Sequence, residues 1–357
     1  MLKTVLIGAT GVVGQQFILA LQNHPWFELT SLAASSRSAG KKYRNAIKDP
    51  NGASRWFCKE SPPSEVLDQT IENGDEINPA NYDIAFSALE SSAARNIEPR
   101  FAASIPVVST ASAFRYEDDV PILMPGVNED HIPLLKEEKR KRGWKGFIAP
   151  QPNCTTVGLC MTLKPIQDTF GLESIVMTSL QAISGAGRTP GVSAMDVVDN
   201  VIPFIPQEEE KVQKETLKIL GRINGSTITP SDARISCTCT RVNVTDGHTE
   251  TVLVVTKASS DRDGVKSAMK AFSKKLADQN LPSAPKELLT ISEDPFRPQP
   301  RLDRETDDGM TTTVGRIRSD DSFERGIKYV LVSHNTKMGA AKGAVLSTEM
   351  LVKAKII

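Results

Sequence analysis

Aromatic side chains make up only 5% of this 357-residue sequence, and no apolar run approaches the roughly 18–20 residues that would cross a bilayer. The apolar share, 39%, is nonetheless ordinary, so a packed globular chain is expected and a disordered one is not. Neither sign of charge is in surplus, since 43 Lys and Arg face 43 Asp and Glu. That balance argues against a nucleic-acid binder that works by neutralising phosphates, while leaving room for a local basic pocket for a small anion. The N-terminus carries one Lys before a short apolar stretch that ends in glycines, which reads as a strand and turn rather than a signal peptide. The five cysteines are odd in number and lack paired spacing, so a reducing, cytoplasmic home fits and neither a membrane nor nucleic acid is expected as partner. A chain of this length exceeds one ordinary core, and two domains are expected.

What is present begins with TVLIGATGVVGQQFILALQNHPWFELTSLAAS, a β-α-β unit. Residues 4–7 form a short buried strand, Phe17, Ile18 and Leu21 recur at helical spacing, and residues 28–34 make the second strand. The turn Gly8, Thr10, Gly11, Val12, Val13, Gly14 spaces its glycines as GxxGxxG rather than GxGxxG. Backbone without Cβ atoms lets pyrophosphate oxygens approach N–H groups at a helix start; a plain tight turn is the alternative. The end of the second strand bears on the choice of cofactor. NAD sites usually place a carboxylate there for the ribose 2′-hydroxyl. Here stand Ser35, Ser36, Arg37 and Ser38, with Lys41 and Lys42 just beyond. Hydroxyls and a guanidinium suit a 2′-phosphate, which predicts NADP(H) over NAD(H), with a solvated basic loop as the alternative.

Residues 82–87 (YDIAFS) and 105–109 (IPVVS) read as further strands with a helix at 93–103 between them, and this alternation implies a doubly wound sheet. The charged run KEEKRKR mixes signs and reads as a solvated helix or loop. In PQPNCTTVGLCMTL, residues 150–153 form a loop, residues 155–163 a helix, and Cys154 falls at the junction. A thiol there feels the positive end of the helix and its unsatisfied N–H groups, which favour thiolate and can hold an oxyanion. Thr155 and Thr156 are suitable capping neighbours. Cys160, Cys237 and Cys239 read as core residues, and the CxC pair lacks a second pair for zinc. A thiolate needs a proton shuttle, and the candidates are His24, His131, His248 and His334. His248 follows an Asp246-Gly247 turn between two strand-like segments and can reach into a pocket, but the sequence alone leaves the four open.

The ordered set GATGVVG, SSRS, PNCTT, QAISGAGR, EEEK, RVNVTDGH and NTKMGAAKGAV resembles the aspartate-β-semialdehyde dehydrogenase family, in its archaeal and fungal type, along nearly the whole chain. The resemblance implies NADPH-dependent reductive dephosphorylation of L-4-aspartyl phosphate to L-aspartate 4-semialdehyde through a cysteine thioester, in lysine, threonine and methionine biosynthesis. It implies Cys154 as nucleophile, Gln181 orienting the acyl group, and His248 as acid–base partner. Arg241 would bind substrate, Glu208 its ammonium and Lys211 its phosphate, with Arg115 and Asn153 assisting at the phosphate. The run of three glutamates leaves open whether Glu208 or Glu209 faces the substrate. Ser184, Gly185 and Asn335 would lie beside the nicotinamide, and Ser87 would be a further cofactor contact. One anion against three cations matches an ammonium, a carboxylate and a phosphate.

Structural alternatives stand beside these roles. Arg241 could serve a structural ion pair, and Glu208 and Lys211 an ordinary i,i+3 surface pair. Strand parity also places Arg241 and His248 on opposite faces unless the Asp246-Gly247 turn resets the register. The expected fold is α/β: a Rossmann-like NADP-binding domain at 1–153, completed by a C-terminal helix at 337–357, plus an α+β catalytic and dimerisation domain with a mixed sheet at 154–336. A homodimer or homotetramer is implied. The segment 292–309 is a subunit contact, a lid or disordered. The rival readings are a related phosphorylating dehydrogenase acting on N-acetyl-γ-glutamyl phosphate and a catalytically silent NADP-binding regulator. Glu208 speaks against the first, since an acetylated substrate has no ammonium, and a complete reactive set speaks against the second.

Overall fold

The computed structural model describes residues 1–187 and 192–357, and all counts below refer to these. The chain divides into two compact units, the first made of Met1–Leu123, Ile132–Gln151 and Ala344–Ile357, the second of Met124–His131 and Pro152–Gly343. No helix among the described residues is long and apolar enough to cross a membrane.

The first unit runs β1 (Leu2–Ile7), α1 (Val12–Leu21), β2 (Phe27–Ala34), the single turns α2 (Tyr43–Ala46) and α3 (Ser64–Leu67), then β3 (Glu72–Asn73) and β4 (Ile84–Ser87). It continues through α4 (Ser91–Ala102), β5 (Val107–Ser109), α5 (Leu134–Arg142) and β6 (Ile148–Pro150). The six strands are parallel, in the order β3-β2-β1-β4-β5-β6. Their apolar runs (Val5 to Ile7, Ile84 to Phe86, Val107 and Val108) are fully buried, as a parallel sheet covered on both faces requires. The order reverses between β1 and β4, where such a sheet opens a crevice beyond its strand ends. This is the Rossmann-like architecture expected from the alternating pattern. Strand β6 was not anticipated; its three residues carry no readable period, and Pro150 is tolerated because the strand lies at the sheet edge.

The second unit contains α6 (Cys154–Phe170), β7 (Leu172–Gln181), α7 (Ala194–Val197), β8 (Val201–Ile202), α8 (Glu208–Ile219) and the hairpin β9 (Arg222–Asn224) with β10 (Thr227–Thr229). Then follow β11 (Arg234–Val242), β12 (His248–Thr256), α9 (Arg262–Ser273), β13 (Leu289–Ser292), α10 (Pro300–Asp303), β14 (Thr312–Asp320) and β15 (Gly326–Ser333). Its sheet has the order β13-β14-β15-β12-β7-β11-β8 and is mixed, with β7–β11 and β13–β14 parallel and the other pairs antiparallel. Helices α6, α8 and α9 pack on the sheet. Val176, in mid-sheet on β7, is about half exposed. Helix α9 is amphipathic and buries Val265, Met269 and Phe272.

Helix α6 outruns the expected 155–163, passing through Pro165 to Phe170. The ring removes one N–H from the ladder, yet the helix runs on because its apolar face stays buried. The 292–309 segment holds α10, and its Arg304 donates to the Asp246 carbonyl at 3.1 Å, bracing the turn before His248. The last helix, α11 (Ala341–Lys353), belongs to the first unit from Ala344 onward. There Gln151 Nε2 donates to Ser347 Oγ, and His24 Nε2 meets Glu349 Oε1, each at 2.8 Å.

Candidate active site

The loop before α6 ends at Asn153, whose extended backbone (φ −56°, ψ 143°) makes it the N-cap. Its Oδ1 accepts the N–H groups of Thr155 at 2.8 Å and Thr156 at 3.4 Å. The cap is therefore Asn153 rather than the two threonines, whose buried hydroxyls have no hydrogen-bond partner among the described residues. Cys154 is the first helical residue and half-buried, with Sγ 3.2 Å from His248 Nε2. Cys160, six residues on, is fully buried, and desolvation pushes its thiol up; the same holds for Cys237 and Cys239. Position on one helix thus separates a half-buried thiol that meets a histidine from a fully buried one.

Opposite α6 the sheet presents two rows. Register pairs Arg241 with Gln181 and His248 with Ser333, and the Thr249–Leu180 pair places His248 across from Gln181. Ser333, His248, Gln181 and Arg241 thus share one face in a line. The turn at 243–247 does reset the register, so both residues of the parity problem meet one site. One row below lie Leu331, Glu250, Ser179 and Cys239, all fully buried. Gln181 Nε2 donates down to Ser179 Oγ at 3.2 Å. Glu250 has neither carboxyl oxygen hydrogen-bonded among the described residues, and burial raises its pKa well above the carboxyl range. Gly158, one turn below Cys154, makes room for it: a Cβ there would lie 3.3 Å from Glu250 Oε1 and 3.0 Å from Ser333 Cβ.

The peptide of Ala182 fixes two of these side chains. Its carbonyl accepts from Arg241 Nη1 at 2.6 Å, and its N–H donates to His248 Nδ1 at 3.0 Å. With Nδ1 accepting, the imidazole hydrogen rides on Nε2 and faces Cys154 Sγ. Burial, then the charges of Arg241 and His334, push the His248 pKa down to about 3. A neutral donor, not an imidazolium, therefore sits beside the thiol. Burial also lowers the Arg241 pKa, opposed by Cys154 and Glu208. The other histidines are engaged elsewhere: His24 with Glu349, His131 with Asn128 and the Gly221 carbonyl, and His334 3.7 Å from Glu305. Gly185 must lack a side chain, because its Cβ would lie 3.0 Å from Arg241 Nη1 and 3.2 Å from His248 Cε1. Asn335 links this segment to the turn, donating to Ser184 Oγ at 2.8 Å and accepting from Gly247 N–H at 2.9 Å.

Helix α8 brings its glutamates to the same place. Glu208 Oε1 accepts Asn153 Nδ2–H at 2.9 Å, and Glu209 Oε1 accepts Cys239 N–H at 3.0 Å. Glu209 is thus spent on anchoring α8 to β11, and Glu208 is the one beside the nucleophile loop. Lys211 is half-buried on α8. Glu215 Oε2 accepts Asn153 N–H at 2.6 Å, a contact the sequence reading missed because Glu215 looks like any helix-surface glutamate. Asn153 is accordingly committed at its backbone and both ends of its side chain. Arg115 lies in the first unit, buried, with Nη2 donating to the Thr110 carbonyl at 2.8 Å.

In the first unit the glycine turn sits at the sheet's switch point. Gly8 has φ +87°, and a Cβ there would stand 2.6 Å from the Ala88 carbonyl oxygen. One on Gly14 would stand 2.3 Å from the Gly8 oxygen, while Gly11 is exposed and less crowded, its nearest neighbour being 3.6 Å away. Gly11 caps α1 without a side-chain hydrogen bond, leaving first-turn N–H groups for a ligand. Thr10, Val12 and Val13 are partly exposed around it, and Ser35, Ser36 and Arg37 are exposed beyond β2, with Ser38 half-buried. Ser87 ends β4 fully buried, its carbonyl accepting from Thr110.

A parallel sheet with a glycine-rich turn at its reversal, joined in one chain to a helix-start thiol facing a neutral histidine, fits the class of nucleotide-dependent dehydrogenases. The comparisons narrow the class. Residues 3–134 match the family model "Semialdehyde dehydrogenase, NAD binding domain" and residues 163–338 match "Semialdehyde dehydrogenase, dimerisation domain". The chain is 46% identical to the aspartate-semialdehyde dehydrogenase of Archaeoglobus fulgidus, covering 99% of this chain and 98% of the relative. It is 41% identical to that of Candida albicans, covering 99% of each. A crystal structure of the Candida albicans enzyme with NADP superposes with a TM-score of 0.89 at 39% identity over the full length of both chains. The second such enzyme of Vibrio cholerae, complexed with ASA, gives 0.77 at 27% identity over 99% of this chain and 98% of that one. The chain belongs to the aspartate-semialdehyde dehydrogenase family.

Proposed function

We propose that this enzyme reduces L-4-aspartyl phosphate to L-aspartate 4-semialdehyde with NADPH, releasing phosphate. The observation that carries the reading is Cys154 Sγ at a capped helix start, 3.2 Å from the Nε2–H of a neutral His248. The thiolate attacks the acyl carbon and phosphate leaves, giving a thioester on Cys154. NADPH, when bound, supplies the hydride that reduces this thioester. Departure of the aldehyde returns the electron pair to Sγ, where the His248 Nε2–H stabilises the thiolate as leaving group, as it did the nucleophile. Gln181, in line with His248 and Arg241, would orient the acyl group. Arg241 would take the substrate carboxylate, Glu208 its ammonium, and Lys211 and Arg115 the phosphate. Asn153 assists by holding Glu208 and the helix start rather than by an unspent amide.

For the cofactor, the helix start at Gly11, with Thr10, Val12 and Val13 around it, would take the pyrophosphate, on a turn that Gly8 and Gly14 let pack closely against backbone. Ser35, Ser36, Arg37 and Ser38 fit a 2′-phosphate, and Ser87, Ser184, Gly185 and Asn335 would complete the set. Val176, half-exposed in mid-sheet, supports self-association of the second unit, to a homodimer or homotetramer. Five cysteines outside any disulfide suit the cytoplasm. The test follows phosphate-dependent NADP reduction at 340 nm with aspartate semialdehyde and with N-acetylglutamate semialdehyde. Turnover with the first alone is expected; preference for the second would overturn the reading.

A further inference from the structure

Glu215 has no part in the chemistry above. It lies two turns after Glu208 on the same face of α8 and exposes no surface. Its Oε2 accepts the backbone N–H of Asn153, while Glu208 Oε1 accepts the side-chain amide of the same residue. One helix thus grips one residue at two points. What Asn153 holds in turn is the first turn of α6, and the next residue is Cys154. Burying a carboxyl is costly unless its hydrogen bonds are made, and this bond goes to the N–H that directly precedes the thiol. Helix α8 is itself pinned to β11 through Glu209 and the Cys239 N–H. The chain of contacts therefore runs without a gap from the sheet carrying Arg241 to the residue carrying the cap.

We propose that Glu215 is a positioning residue for Cys154: it fixes the Asn153 peptide and with it the start of α6 and the approach of Sγ to His248. The proposal rests on the reading of Cys154 as nucleophile. It also divides labour between the two glutamates. Glu208 is free to turn charge toward an incoming ammonium because Glu215 keeps Asn153 in place while it does so. A loosened Asn153 would fray the first turn, moving the thiol off the positive helix end that favours its ionised form.

The test uses the full-length enzyme with Glu215→Asp, which withdraws the acceptor by one methylene, and Glu215→Gln, which keeps an acceptor oxygen at full length. The Asp variant should lose roughly tenfold or more in kcat, since ångström-scale misplacement costs up to about 10²-fold, with KM for NADPH within about twofold. The pH midpoint for alkylation of Cys154 by iodoacetamide, read by mass spectrometry, should move upward. The Gln variant should restore both to near wild type. An Asp variant with wild-type kcat and alkylation profile, or with a lowered melting temperature as its only change, overturns the proposal. So does a Gln variant as impaired as the Asp. Cys154→Ala, assayed in parallel, separates the two readings: if it keeps turnover, the nucleophile assignment itself fails.

Discussion

Helix α1 begins at Gly11, which offers no side chain to its first turn, whereas α6 begins at Asn153, whose Oδ1 takes the N–H groups of Thr155 and Thr156. Both starts follow a strand and a short turn, and both carry the positive end of a helix. At α1 the unsatisfied N–H groups stay open, and the crowding around Gly8 and Gly14 keeps side chains away from them. At α6 two of those groups are used internally, and the first helical side chain is the Cys154 thiol. A glycine cap leaves a helix end open; an asparagine cap closes it and fixes the thiol that follows.

The largest effect that would break this contrast is loss of the thiol. Cys154→Ala should lower turnover by about 10⁴-fold or more, while nucleotide binding measured by fluorescence titration is unchanged. Next, His248→Gln should lower kcat by roughly 10²-fold, the lower range for a positioned proton donor. Because the His248 pKa is pushed down to about 3, the wild-type kcat profile should show no limb near pH 6.5 that this variant abolishes. Finding such a limb would contradict the neutral donor.

Gly14→Ala tests the other helix start. Its Cβ would strike the Gly8 oxygen, so KM for NADPH should rise about tenfold, equivalent to about 1.4 kcal/mol of lost binding. The alkylation rate of Cys154 should stay unchanged, which confines the damage to one helix start. The smallest effect concerns the sheet behind α1. Glu138 is buried, accepts the Ile148 N–H at 2.9 Å, and has its pKa raised by desolvation to about 8. A raised carboxyl pKa means the fold holds a proton that the unfolded chain has released. Its stabilising share is complete below pH 4.5 and is lost as pH rises toward 8, at up to about 1.4 kcal/mol per pH unit. Glu138→Gln should flatten the fall in melting temperature between pH 5.5 and 8; an unchanged slope would show that Glu138 ionises freely in the fold.

Legibility in the sequence followed local pattern. The glycine turn, strands β1, β2, β4 and β5 of the parallel sheet and the thiol at a helix start announce themselves through spacing, whereas the short edge strands β3 and β6 do not. His248 became distinct from the other three histidines only through the family motif, because what selects it is the Ala182 peptide and the strand register, both tertiary. The Asn153 cap was misplaced onto Thr155 and Thr156, since Ser, Thr and Asn are all good caps and an offset of two or three residues is invisible without backbone angles. Glu215 and Glu250 were silent for a related reason. A glutamate on a charged helix or in an alternating strand reads as solvated, and nothing local says that another helix or Gly158 will cover it.

The first unit has its own consequence for synthesis. Its sheet is complete by Pro150, yet Gln151 and His24 find their partners on Ser347 and Glu349, in the last stretch of the chain. The second unit is largely continuous and can close as it leaves the ribosome. The nucleotide-binding unit must wait, with His24 Nε2 and the Gln151 side-chain amide short of their partners until translation reaches α11. Truncating this chain within α11 should therefore leave a nascent product in which the thiol-bearing half folds first and the cofactor half remains open to proteolysis.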